Sequence, residues 1–197
     1  FKMNLKSNKV NVIKILPGGV VTAKDTAEIE LDANGEFVRN PEVDLVKVAV
    51  VERHQGTGNV ACGFLKGYGI KEGAVALSVA HDSHNIIVVG VNDEEMEFAV
   101  NSLIEQEGGI VLVKEGKVIE SMPMPIAGLM SDQSGEWVDQ KLTDIHEKAY
   151  EELGICGDVE PVMTLCFMSL AVIPEIKLTD MGLFDVTTFS FIPVEVE

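Results

Sequence analysis

The sequence predicts an α+β fold in which mostly antiparallel or mixed β-sheets are layered with two to three helices. Three observations indicate it: β-hairpin signals recur along the chain, two segments have helical apolar spacing, and strands do not alternate regularly with helices. The last observation also argues against a (β/α)8 barrel in this chain. We expect residues 1–197 to form a single domain, with residues 1–44 as its N-terminal β-hairpin segment.

The first half of the chain is predicted to consist mainly of strands. Residues 10–31 form a hairpin, because apolar and polar residues alternate on both sides of Pro17-Gly18-Gly19. Apolar runs predict strands at 45–51, 74–80 and 86–91. Between them, a glycine-rich stretch leaves room for a short helix at 59–66, with Cys62 on its apolar side.

The second half contains two clear helix signals. Asn92 is a predicted N-cap with acidic residues directly after it, and an apolar stripe follows over residues 96–103. A second helix is predicted at 135–153, where apolar residues recur every three or four positions. Between the helices, Glu115-Gly116 predicts the turn of a hairpin. A turn at 179–182 and a terminal strand at 189–194 complete the prediction.

Charge and composition exclude several classes of function. The chain has 15 basic and 32 acidic residues and a net charge of −17. Because such a surface repels phosphate backbones and anionic lipids, we expect neither nucleic acid nor a membrane as a partner. No apolar run approaches the roughly 20 residues that span a bilayer. Three cysteines without a CxxC pair are typical of a reducing compartment, which predicts a cytoplasmic protein.

The segment His81-Asp82-Ser83-His84-Asn85 is the first candidate site. It joins two predicted strands, and loops at strand ends often carry functional groups. In a tight turn the Cα atoms of His81 and His84 come within about 7 Å, so that both imidazoles could share a metal or a substrate. Alternatively, Asp82 and Asn85 cap the turn, and the histidines bind nearby backbone groups.

Glu52-Arg53-His54 is the second candidate site, at the end of the predicted strand 45–51. It leads into a glycine-rich loop whose backbone amides could bind an anion, although the loop matches no nucleotide-binding fingerprint. The alternative is an internal ion pair between Glu52 and Arg53. A metal site would need at least three convergent ligands. The weak candidates for such ligands are His54, His81, Asp82 and His84.

Longer blocks of the sequence carry a family resemblance. They are residues 48–54 (VAVVERH), 56–59 (GTGN), 63–69 (GFLKGYG), 79–90 (VAHDSHNIIVVG), 92–94 (NDE), 125–132 (PIAGLMSD) and 173–180 (IPEIKLTD). In content and order these blocks resemble bacterial adenine deaminase of the amidohydrolase type, over most of the chain from about residue 45 to 190. Long matches in the family's order are more specific than any short motif above.

The resemblance implies hydrolysis of adenine to hypoxanthine and ammonia, in purine salvage and adenine catabolism. In this family a divalent metal, Mn or Fe, is held in a (β/α)8 barrel and converts water into the nucleophile. A His-x-His pair is among the ligands. Because this sequence has no His-x-His pair and no barrel pattern, it resembles only the C-terminal domain. We therefore expect no catalytic residue in this chain and no activity without the barrel.

The resemblance also implies partners and residue roles. The expected partners are the rest of the adenine deaminase chain, with adenine as the substrate of that enzyme, and further copies in a homo-oligomer. Accessory or binding roles are expected of Glu52, Arg53, His54, His81, Asp82, Ser83, His84 and Asn85. Two alternatives stay open: a self-contained metal- or ligand-binding hydrolase module that uses the His81–His84 turn, and a purely structural oligomerisation domain.

Overall fold

The computed structural model describes residues 1–196, which contain thirteen strands and three helices. The strands are β1 (Lys9–Ile15), β2 (Thr22–Glu28), β3 (Glu30–Leu31), β4 (Phe37–Val38), β5 (Leu45–Val51), β6 (Val60–Lys66), β7 (Ala74–Leu77), β8 (Ile86–Gly90), β9 (Gly109–Lys114), β10 (Lys117–Pro123), β11 (Ile176–Thr179), β12 (Gly182–Asp185) and β13 (Ser190–Phe191). The helices are α1 (Asp93–Glu105), α2 (Gly135–Glu151) and α3 (Pro161–Cys166). None of the helices described in residues 1–196 has the length and apolar content needed to cross a membrane.

Eight of the strands form one sheet in the order β10-β9-β7-β8-β5-β6-β1-β2. Neighbouring strands are antiparallel except for β1 and β6, which are parallel. Two smaller antiparallel sheets have the orders β11-β12-β13 and β3-β4. The predicted α+β class is therefore confirmed, and the described residues form no closed barrel. That residues 1–197 make a single domain stays a prediction.

Helix α1 covers one face of the eight-stranded sheet. Its N-cap is Asn92, as predicted, and the side-chain oxygen of Asn92 accepts a 2.8 Å hydrogen bond from the Glu95 amide. Acidic residues in the first turn favour the helix dipole. The apolar stripe is buried against small and β-branched side chains of β7, β8 and β9. Local capping and tertiary packing therefore both stabilise α1.

Helices α2 and α3 and the sheet β11-β12-β13 cover the other face. Ile145 and Ala149 of α2 are buried in the largest hydrophobic cluster. The hairpin of β11 and β12 packs on Gly63 of β6, where an added Cβ would lie 3.5 Å from a methyl carbon of Leu178. Lys177 of the same hairpin is fully buried, and its Nζ donates a 2.9 Å hydrogen bond to the Val20 carbonyl.

The predicted helix at 59–66 is wrong. These residues form β6, which pairs with β5 along its whole length and with β1 near its end. A short apolar run fits a strand or a helix equally well, and pairing on both sides decides between them here. Cys62 therefore lies half-buried in a strand rather than on a helix.

The other predicted elements are confirmed with shifted ends. The hairpins at 10–31 and around Glu115-Gly116 are the pairs β1–β2 and β9–β10. The strand predicted at 74–80 ends at Leu77, and the terminal strand is reduced to Ser190–Phe191. Helix α3 was not predicted.

Candidate functional site

The two candidate sites lie next to each other at one end of the central sheet. Strand β5 ends at Val51 and strand β8 begins at Ile86, and these two residues are paired across the strands. Residues 52–54 follow Val51 and residues 81–85 precede Ile86, so the sheet brings them together. We call the segments 52–59, 81–85 and 125–130 the loop surface, because contacts described below attach the third segment to the first two.

The histidine turn is a tight reversal, as predicted. The His84 amide donates to the Ala80 carbonyl at 2.6 Å, and the His81 amide donates to the Cys166 carbonyl at 2.8 Å. The ring centroids of His81 and His84 are 5.3 Å apart in a T-shaped arrangement, and the His81 ring lies 4.9 Å from that of Phe167. The turn therefore holds two imidazoles side by side against an aromatic support.

Arg53 connects the three segments of the loop surface. Its Nε donates to the His84 carbonyl at 2.6 Å, and its Nη2 donates to the Ala127 carbonyl at 2.9 Å. The guanidinium lies so close to Gly128 that an added Cβ there would be 3.0 Å from Nη1. The buried Asn85 side chain completes the arrangement, since its Oδ1 accepts from the Arg53 amide at 3.3 Å. Arg53 is thus a clamp between the histidine turn and residues 125–130.

The buried side chain of Ser78 fixes the segment 125–130 to the sheet. The Ser78 hydroxyl donates to the Gly128 carbonyl at 2.5 Å and accepts from the Gly109 amide at 2.8 Å. Sequence reasoning missed both Ser78 and the role of residues 125–130. The available signal was a hydroxyl within the otherwise apolar run 74–80, because a buried polar side chain requires a hydrogen-bond partner.

Glu52 organises its own loop instead of pairing with Arg53. Its carboxylate accepts from the amides of His54, Gln55 and Thr57 at 2.5, 2.7 and 3.0 Å, and from the Thr57 hydroxyl at 3.0 Å. Led by the bond from the Thr57 amide, these donors lower the pKa of Glu52 to about 2. The ion pair considered from the sequence is therefore wrong for the described residues. Three amides that could have bound an external anion are occupied by this carboxylate.

The environment of His84 favours its neutral form. Burial lowers the pKa of His84 below its ordinary value, and the nearby charges of His81 and Arg53 act in the same direction, while Asp82 opposes them. Within residues 1–196 the His84 Nδ1 is shielded from solvent and has no hydrogen-bond partner. The site therefore holds an imidazole whose neutral form is favoured and whose Nδ1 is enclosed without a partner among the described residues.

His54 is exposed and is held by a backbone contact. Its Nε2 lies 2.7 Å from the Ser83 carbonyl, and because a carbonyl only accepts, this nitrogen carries the hydrogen. The side chains of Asp82 and Ser83 belong to exposed residues of the turn. His54 therefore joins the first loop to the histidine turn and uses one of its nitrogens to do so.

The geometry does not fit the divalent metal that the resemblance implies. In the part of the chain that the structure describes, residues 1–196, no three or more His, Cys, Asp or Glu side chains are arranged to hold a metal ion. His54 uses Nε2 for a backbone carbonyl, and the His81 ring packs on Phe167. The loop surface offers imidazole, guanidinium and amide groups for hydrogen bonding, and we assign no step through a metal to this chain.

The fold and the loop surface define the class of this protein: an α+β domain that presents histidine and arginine side chains on ordered loops. The chain belongs to the family described as adenine deaminase C-terminal domain, whose model matches residues 19–190. The resemblance inferred from the sequence blocks is confirmed.

Curated relatives agree with the family match. The chain is 68% identical to adenine deaminase 2 of Desulfotalea psychrophila over 98% of its length. It is 48% identical to the adenine deaminase of Ligilactobacillus salivarius over 100% of its length, and 45% identical to that of Bacillus subtilis over 99%. The chain spans only 34%, 34% and 33% of these relatives, which is about a third of their length.

Proposed function

We propose that this chain is the accessory C-terminal domain of an adenine deaminase that hydrolyses adenine to hypoxanthine and ammonia. The observation that carries the proposal is the combination of whole-chain similarity to adenine deaminases with coverage of only about a third of them. The Mn or Fe ion expected from the family resemblance is then bound outside these residues, and the domain has no activity alone. The lack of a three-ligand group in residues 1–196 supports this division.

The loop surface supplies the domain's contribution to that enzyme. Hydrolytic deamination adds water and releases ammonia, so protons must be delivered and removed near the purine. The environment of His84 favours the neutral imidazole, whose ring nitrogens donate or accept a hydrogen bond according to the tautomer. Arg53 positions the turn that carries His84. We propose that Glu52, His54, His81, Asp82, Ser83 and Asn85 shape or support this surface.

The proposal extends to partners and location. The partner is the metal-bearing remainder of the enzyme, which acts on adenine, and the enzyme is a cytoplasmic homo-oligomer. A self-contained metal module has less support, because His54, His81, Asp82 and His84 do not converge as ligands. The oligomerisation alternative has no specific observation in its favour.

Joining this chain to a metal-bearing part is expected to create activity that the chain alone lacks. The test uses a hybrid protein, called the fusion, in which this sequence replaces the matched third of its 68%-identical relative. Adenine turnover is measured for the 197-residue chain and for the fusion, each with added Mn²⁺ or Fe²⁺. We expect turnover by the fusion only. Turnover by the chain alone, together with stoichiometric bound metal, would contradict the proposal that the metal is bound outside this chain. An inactive fusion would contradict the proposal that the chain is a domain of an adenine deaminase.

Substitution of His84 tests the role of the loop surface. His84→Asn in the fusion is expected to lower kcat/KM for adenine by about tenfold, because one hydrogen bond with the substrate or its surroundings is lost. Metal content and Tm should not change. The matched control is His146→Asn, since His146 lies on α2, where it contacts Glu160 and Tyr150. Equal kcat/KM for the His84 variant and the parent fusion would exclude the role.

A further inference from the structure

Exposed apolar side chains lie on both sides of the loop surface. Ile126 and Met130, on one side, are 46% and 58% exposed. Met181 and Phe191, on the other side, are 68% and 55% exposed. We call these four residues the apolar rim. Large exposed apolar patches are rare on monomeric proteins, and those that occur often mark interaction surfaces.

The contacts of the rim place it directly beside the histidine turn. Arg53 donates a hydrogen bond to the Ala127 carbonyl. Ile126 and Met130 lie at the two ends of the turn that contains Ala127, and two 3.2 Å backbone hydrogen bonds join them. On the other side, the Met181 sulfur lies 3.9 Å from Nδ2 of Asn59. Asn59 belongs to the loop surface, and its carbonyl accepts from the Glu52 amide at 2.9 Å.

Phe191 extends the rim beyond Met181. Its ring lies 3.8 Å from where a Cβ on Gly182 would be, and Gly182 follows Met181 directly. Strands β6 and β8, which border the two loops, are separated only by β5, so about 10 Å lies between them. The rim therefore flanks the loop surface, of which the histidine turn is a part, at one end of the sheet.

This surface is poor in charge for such an acidic chain. Charged residues make up 24% of the whole chain. In the loop surface and the rim segments 179–182 and 187–191 the charged residues are Glu52, Arg53, Asp82 and Asp180. Interface cores are depleted in charge and enriched in Met and aromatic residues. Glu52 is, in addition, satisfied by its own loop.

We propose that the loop surface and the apolar rim dock onto the metal-bearing part of adenine deaminase. The inference rests on the proposed function and names the face through which the domain acts. The occupant follows from three observations: about two thirds of each relative lies outside this domain, the rim is exposed, and the surface is poor in charge. Docking through this face covers the apolar side chains that are exposed in the chain alone.

Methionine oxidation tests the docking face inside one molecule. Met130 and Met181 belong to the rim, whereas Met163 lies on α3 beside residues 15–20, outside the loop surface and the rim, and is 53% exposed. Dilute hydrogen peroxide converts exposed thioethers to sulfoxides, and susceptibility follows exposure. In the chain alone we expect similar oxidation rates at the three residues. In the fusion, Met130 and Met181 should be oxidised about tenfold more slowly, and Met163 should be unchanged.

Each other outcome overturns the docking proposal. Oxidation of Met130 and Met181 in the fusion as fast as in the chain alone means that this face is not covered. Protection of Met163 in their place puts the contact on the face beside residues 15–20. Protection that already occurs in the chain alone, and that disappears on dilution, identifies a second copy as the occupant. Adenine turnover by the same fusion sample is recorded in parallel, so failure of the docking face is distinguished from failure of the proposed function.

Discussion

Replacing Arg53 with methionine is expected to lower the free energy of unfolding by about 3 kcal/mol, because two hydrogen bonds from a charged donor are lost. The guanidinium binds the carbonyls of His84 and Ala127, which belong to segments far apart in sequence. Without it, both carbonyls lose their donor and the two loops lose their common anchor. Urea denaturation measures the stability, and hydrogen exchange at 81–85 and 125–130 should accelerate. In the fusion, kcat/KM for adenine should fall at the same time.

Two further variants make the Arg53 result specific. Arg53→Lys keeps the charge but lacks the planar fork, so it should recover only part of the stability. Arg39→Met removes an arginine at the opposite end of the sheet, where Nη2 donates to the Ile70 carbonyl at 3.0 Å. We expect a smaller loss for Arg39→Met and unchanged exchange at 81–85. If both arginine variants accelerate exchange in the histidine turn equally, Arg53 is not its clamp.

Elements with strong local signals could be predicted from the sequence. Helix α1 has an N-cap, an acidic first turn and a regular apolar stripe, and all three occur in the structure. The hairpin of β9 and β10 follows from two apolar runs around Glu115-Gly116. In both cases the local preference and the tertiary packing favour the same conformation, which is why pattern alone was sufficient.

Elements that depend on partners distant in sequence could not be predicted in the same way. Strand β6 is short and apolar, and only its pairing with β5 and β1 distinguishes it from a helix. Helix α3 has six residues, too few for a periodic pattern, although Pro161 at its start and the Glu160 N-cap were available as signals.

The candidate site was predicted only where residue type revealed it. Each polar cluster lies at the end of a predicted strand, but only the pairing of β5 with β8 brings the two clusters together, and the sequence did not predict that pairing. Residues 125–130 join the site through the backbone carbonyls of Ala127 and Gly128. Every residue has a carbonyl, and therefore no side-chain pattern indicates this contact. The hydrogen bonds of Glu52 within its own loop and of Arg53 to two distant carbonyls likewise depend on the three-dimensional positions of the donors and acceptors.

Lys177 is one of two buried lysines in the part of the chain that the structure describes. It is fully buried in the β11–β12 hairpin, and its Nζ donates to the Val20 carbonyl at 2.9 Å. Burial lowers the pKa of Lys177 from its ordinary value to about 8. Because this hairpin also carries Met181, the lysine connects the apolar rim to the N-terminal hairpin of the sheet.

The direction of the shift determines how stability depends on pH. In the unfolded chain Lys177 keeps its ordinary pKa near 10.5, so between about pH 8 and 10.5 the unfolded state binds more protons than the folded state. Stability therefore rises with pH across this window. Below about pH 8 the folded protein bears the full cost of a buried ammonium group, and above about pH 10.5 that cost disappears.

Lys177→Met is expected to remove this pH dependence. The difference in unfolding free energy, parent minus variant, should rise by about 3 kcal/mol between pH 8 and 10.5, because a shift of one pKa unit corresponds to about 1.4 kcal/mol. Urea denaturation of both proteins at several pH values measures it, with Lys14→Met, at an exposed lysine of β1, as the control for loss of one positive charge. A difference that stays constant across the window would mean that the Lys177 amine is hydrated in the folded protein. Methionine matches the unbranched shape of the lysine stem, so the comparison isolates the amine and its bond to Val20.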